Sequence, residues 1–95
     1  MLDEEEGARV NFVYSKHALK EMGQRRISRD IADEVLRNPE QIVNEHSLRK
    51  CYQSRVYCDE GKLFLLRVIV DVATEPSVVI TLYRTSKISK YWSAS

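Results

Sequence analysis

Long apolar runs are missing from this sequence. The most apolar stretch, residues 63–70, carries Arg67 in its middle and is far shorter than the roughly twenty residues a membrane-crossing helix needs. No secretory or transit leader is expected either: the chain opens MLDEEEG, acidic where such leaders are basic, so a cytoplasmic setting is expected. Cysteine is scarce. Cys51 and Cys58 lie seven positions apart in what reads as one strand, so they face opposite sides of it and cannot join within it. Reduced thiols are expected. Zinc is not, because His17, His46, Cys51 and Cys58 include no close ligand pair. There is no glycine-rich phosphate loop, no Ser/His/Asp set in a recognisable context and no carboxylate pair of glycosidase type. The expectation is chemistry, if any, without metal or cofactor.

What remains is one domain's worth of chain, 95 residues, enough to bury a working core with a thin margin of stability. Its charge is unevenly spread. The first six residues hold four acids and no base; without them fifteen bases stand against ten acids, a net +5. The last twenty residues hold Arg84, Lys87 and Lys90 and no acid. A basic lean with a basic tail suits a polyanionic partner, the alternative being an ordinary solvated surface. Residues 1–8 are expected to be a loose acidic leader and residues 9–95 the domain.

Local signals order the elements. Residues 10–14 alternate enough for a short strand. Ser15 reads as an N-cap, with a helix over 16–22 that stops at Gly23 and turns Ala18, Leu19 and Met22 inward. Ser28 caps a second helix with Asp30 in its first turn; Ile31, Ala32, Val35 and Leu36 form its apolar face, and Asn38-Pro39 ends it. The rest is β: a short piece over 41–43, strands over 49–58 and 62–72 joined by a turn at Asp59, Glu60 and Gly61, and a return strand over 77–83. Connections this short require antiparallel pairing. The fold class is therefore α+β, two N-terminal helices on one face of a twisted, mainly antiparallel sheet. Strict alternation puts Phe64, Leu66, Val68, Val70, Val78, Ile80 and Leu82 under the helices. Leu63, Leu65, Arg67, Ile69, Val79, Thr81, Tyr83 and Thr85, with Gln53, Arg55 and Tyr57, fall on the other, open face.

The residues able to carry chemistry are few. His17 is the histidine inside a defined element, and imidazole is the natural proton carrier, although a lone histidine also serves as a helix-start hydrogen bond. Arg67 interrupts an apolar strand, so it must meet water, a carboxylate such as Asp71 or Glu75, or a ligand. Arg25 and Arg26 sit between the helices. Lys87 and Lys90 lie in a tail with Tyr83, Tyr91 and Trp92, a mixture that pairs with phosphates and stacks on bases, or that packs on the domain.

The segments YSKHALKEMGQRRIS and IADEVLRNPEQIV, within residues 14–43, resemble the opening of an uncharacterised family of small domains grouped with the RelE/BrnT toxins. The tail also resembles the strand end of BrnT-type toxins, with Arg84 and Tyr91 at the matching places. The resemblance implies a RelE-like fold and metal-independent endoribonuclease activity on free or ribosome-bound RNA, restrained by an antitoxin protein. Such cleavage needs a base for the 2′-hydroxyl, cations for the phosphorane and an acid for the leaving oxygen. His17 as base or acid, Arg67 and Arg84 as clamps and Tyr83 as hydroxyl donor would supply them, with Arg25, Arg26, Lys87 and Lys90 holding flanking phosphates. The alternative is a non-catalytic RelE-fold module binding protein or RNA through its open sheet face. Convergence of His17, Arg67 and Tyr83 in one cleft separates the two.

Overall fold

A computed structural model describes residues 12–58 and 60–94. The expected acidic leader, the first two positions of the expected first strand and Asp59 of the expected turn lie outside the described residues. The elements run β1 (Phe12–Tyr14), α1 (Lys16–Arg25), α2 (Arg29–Arg37), β2 (Gln41–Asn44), β3 (Arg49–Tyr57), β4 (Leu63–Asp71), β5 (Ser77–Thr85) and α3 (Ile88–Tyr91). The fold is α+β with a five-stranded mixed sheet in the order β1-β5-β4-β3-β2. β1 pairs with β5 in parallel; the other three pairings are antiparallel. Among the described residues no helix is long and apolar enough to cross a membrane.

Both expected N-caps form. The Ser15 hydroxyl accepts the Ala18 N–H at 3.0 Å and that of Ser28 accepts the Ile31 N–H at 3.2 Å, each satisfying a donor the helix start leaves open. The first stop differs from expectation. α1 runs through Gly23 to Arg25, and the chain turns left-handed at Arg26, φ 58°. Continuing the helix lets Arg25 pair with Glu21 one turn back and brings the Ile27 N–H onto the Met22 carbonyl at 2.9 Å, with Ile27 buried. The ending is a left-handed cap with an arginine where glycine is the commoner choice.

Ala18, Met22, Ile27, Ala32, Val35 and Leu36 pack on the sheet face formed by Leu66, Val68, Val70, Val79 and Leu82. Full burial of an aliphatic side chain such as Leu82 is worth about 1.5–3 kcal/mol. Two helix residues expected inside, Leu19 and Ile31, are exposed. On β5 the expected alternation fails for a local reason. Ile69 pairs with Thr81 but Val70 pairs with Val79, so Ile80 is the extra residue of a bulge. The bulge turns Val79 inward and leaves Val78 and Ile80 only half-buried.

The other sheet face is not open. The chain leaves β5, forms the single turn of α3, and crosses the sheet to its far edge. Gln41 fixes the end of this strap, its Nε2 donating to the Ser93 carbonyl at 2.8 Å and its Oε1 accepting the Ser93 N–H at 3.0 Å. The Trp92 ring lies against Arg55, 4.4 Å from guanidinium carbon to ring centre.

Candidate nucleic-acid interface

Arg67 stands on central strand β4, opposite Gln53 of β3 and Tyr83 of β5. Its side chain is 7% exposed, so every polar atom needs a partner inside the protein. Nε donates to Gln53 Oε1 at 2.8 Å, one terminal nitrogen donates to the Tyr83 hydroxyl at 2.7 Å, and the other pairs with Glu45 at 3.0 Å. The Tyr91 ring covers the guanidinium at 4.4 Å. Gln53 Nε2 completes the cluster by donating to Gln41 Oε1 at 2.8 Å and the Tyr91 carbonyl at 3.1 Å. Burial works against the charge on Arg67, but the bonds to Tyr83 and Glu45 outweigh it and hold the guanidinium above its ordinary pKa. Burial pushes the neighbouring Cys51 thiol up to about 11. The carboxylate on Arg67 is Glu45, from the end of β2, rather than Asp71 or Glu75.

A second cluster of cations forms on the helix side. Arg84 falls on that face because it alternates with Tyr83. One of its terminal nitrogens donates to the Arg26 carbonyl at 3.4 Å, and its guanidinium carbon lies 6.0 Å from the centre of the Phe64 ring. Arg26, Arg84 and Lys62 line a cavity of about 370 Å³ between the α1–α2 turn and the β3–β4 hairpin, with Ile31, Val56 and Phe64 among its apolar walls and Glu60 as an acid of the lining. Among the described residues, none of the three cations pairs with a carboxylate within 4.0 Å.

The sequence candidates therefore divide. Arg67 and Tyr83 come together on one face, Arg26 and Arg84 on the other. His17 belongs to the helix layer, with its side chain 61% exposed and 3.6 Å from Glu21; it does not share the face of Arg67 and Tyr83. Arg25 is held by Glu21. Lys87 is exposed before α3, its N–H donating to Thr85 Oγ1 at 3.0 Å. Lys90, also exposed, stands 5.3 Å from the centre of the Tyr91 ring. Sequence reasoning missed Glu45, Gln53 as the hub of a bonded cluster, and Lys62. Gln53 was within reach, since alternation already placed it on the same face as Arg67. Glu45 lies 22 residues from Arg67, and no local signal links the two.

Residues 14–84 match the family model described as Domain of unknown function (DUF4258). The match spans most of the chain, and the chain belongs to that family. No curated protein and no solved structure matches it.

Proposed function

We propose that this DUF4258 domain is a RelE-like, non-catalytic RNA-binding module that holds the phosphate chain on Arg26, Lys62 and Arg84. The observation that carries the reading is the convergence of three cations, unpaired among the described residues, on one partly apolar cavity, while the residues a histidine-dependent nuclease needs lie on two faces. A guanidinium with free donors matches the geometry of a phosphate; one whose nitrogens are all engaged does not. The net +5 beyond the first six residues favours the same class of partner, and the resemblance of residues 14–43 to RelE/BrnT-type chains points to RNA in the cytoplasm.

The test is fluorescence anisotropy of a labelled oligoribonucleotide across a salt series. Affinity should fall with salt, with a log–log slope of about −0.7 per phosphate engaged on a single strand. Arg84→Ala should flatten the slope by about one contact. Binding indifferent to salt would remove nucleic acid from the reading.

A second reading is favoured by a separate observation, the contiguity of Glu45, Arg67 and Tyr83. In a toxin-like, metal-independent endoribonuclease restrained by an antitoxin, Glu45 would take the 2′-hydroxyl proton and Tyr83 would protonate the leaving 5′-oxygen, with Arg67, its nitrogens kept on protein partners, acting only as a nearby positive charge. RNA cleavage that survives EDTA, is lost in Glu45→Gln and Tyr83→Phe and persists in His17→Ala would support it. Loss in His17→Ala at unchanged stability would instead restore histidine to the mechanism. No cleavage of free or ribosome-bound RNA leaves the binding module.

A further inference from the structure

Resting on the reading of the groove as an RNA-phosphate site, we infer that it takes one unstacked nucleotide, its base in the apolar cavity against Phe64 and its phosphate on Arg26 and Arg84. The ligand class is then single-stranded RNA rather than duplex.

A site that tracks phosphates alone needs only a basic surface. This one is concave, and about 370 Å³ falls within the range of small-ligand cavities. Its walls mix charged groups with apolar side chains, among them an aromatic ring, the surface on which an unpaired base stacks. Ile31, 42% exposed on the first turn of α2, sits at this cavity rather than in the core to which its helical spacing assigned it. Glu60 repels a phosphate and accepts from the amino edge of a base, which leaves the phosphate to Arg26 and Arg84.

Arg26 supplies an independent argument. Its φ of 58° lies in the left-handed region that glycine enters freely and a residue with Cβ does not. The chain thus places a long cation at a position where the turn by itself favours glycine. Such strain at a cavity wall is what a binding role would retain. Stacked duplex cannot insert a base without unpairing it, so the cavity discriminates by structure rather than by sequence.

The experiment compares a short labelled single-stranded oligoribonucleotide with the same strand annealed to its complement, for wild type, Arg26→Gly, Phe64→Leu and Ile31→Gln. The single strand should bind at least tenfold more tightly than the duplex. Phe64→Leu should weaken single-strand binding about tenfold, the scale of a lost base–aromatic stack, with the salt slope unchanged. Ile31→Gln alters the same cavity from an exposed position, so it tests the wall even where Phe64→Leu folds poorly. Arg26→Gly should flatten the salt slope at equal or higher thermal stability. Equal binding of single strand and duplex, with Phe64→Leu and Ile31→Gln both silent, would overturn the inference and leave phosphate binding standing. Absence of salt-dependent binding to either probe would overturn the reading beneath it.

Discussion

Arg67 and Arg84 stand on neighbouring strands, and Arg84 is next in sequence to the tyrosine that bonds Arg67, yet the two have opposite circumstances. Arg67 is buried, bonded to three side chains and covered by Tyr91. Arg84, at the end of the sheet, has one long bond to a carbonyl and a distant ring. The first can only be removed at a cost to the fold, and the second has capacity left for a ligand. Basic residues near each other in the sheet are thus sorted by strand alternation into a structural tie and a candidate contact.

The largest effect that bears on this contrast is on stability. Arg67→Leu strands Glu45, Gln53 and Tyr83 without their common donor and should cost about 3 kcal/mol, the lower end for a broken buried pair because Glu45 is partly solvated. Arg84→Ala should stay within about 0.5 kcal/mol of wild type. Urea denaturation measures both; equal stabilities would dissolve the distinction. Next in size is the bulge. Val79→Ala should cost about 2 kcal/mol and Val78→Ala well under half of that, since only Val79 is fully buried; the reverse order would restore strict alternation.

The thiols give a smaller, pH-dependent contrast within β3 and its exit. Burial raises the folded Cys51 pKa from 9.0 to about 11. Between those values the unfolded thiol has lost its proton and the folded one keeps it, so this contribution is fully present below pH 9 and is lost as pH rises toward 11. Native protein treated with iodoacetamide near pH 8 should label the half-buried Cys58 and spare Cys51. Labelling of Cys51 at an equal rate would mean that the strap does not cover this face. The smallest effect is at Glu40, whose bonds from Arg55 hold its pKa below the ordinary carboxylate value. The pair contributes at neutral pH and is lost as acid titrates Glu40 through that lowered value. Both groups are well exposed, so Glu40→Gln should change an acid titration of stability only slightly.

Much of this was legible in the sequence where the cause is local. Ser15, Ser28 and Asn38-Pro39 mark helix limits by chemistry within a turn of the chain, and β3, β4 and β5 begin and end near their turn residues. Alternation also put Arg67, Tyr83 and Gln53 on one face of the sheet. It separates Tyr83 from Arg84 as well, although a nuclease reading had grouped them. What stayed hidden depends on register. The extra residue at Ile80 exists only through its pairing with β4, and the parallel β1 joins residues more than sixty positions apart. The strap is held by Gln41 bonds to Ser93, across 52 residues. The continuation of α1 past Gly23 was decided by burial of Ile27 rather than by the glycine.

The central claim is that RNA engages the Arg26–Arg84 groove and leaves the Arg67 face alone. It is tested most directly by titrating the ¹⁵N-labelled domain with a short single-stranded oligoribonucleotide and following each backbone amide by NMR. The predicted shifts gather at Arg26, Ile27, Lys62, Phe64 and Arg84. Shifts gathered instead at Glu45, Gln53, Arg67, Tyr83 and Tyr91 would contradict the account and place the binding surface on the opposite face of the sheet.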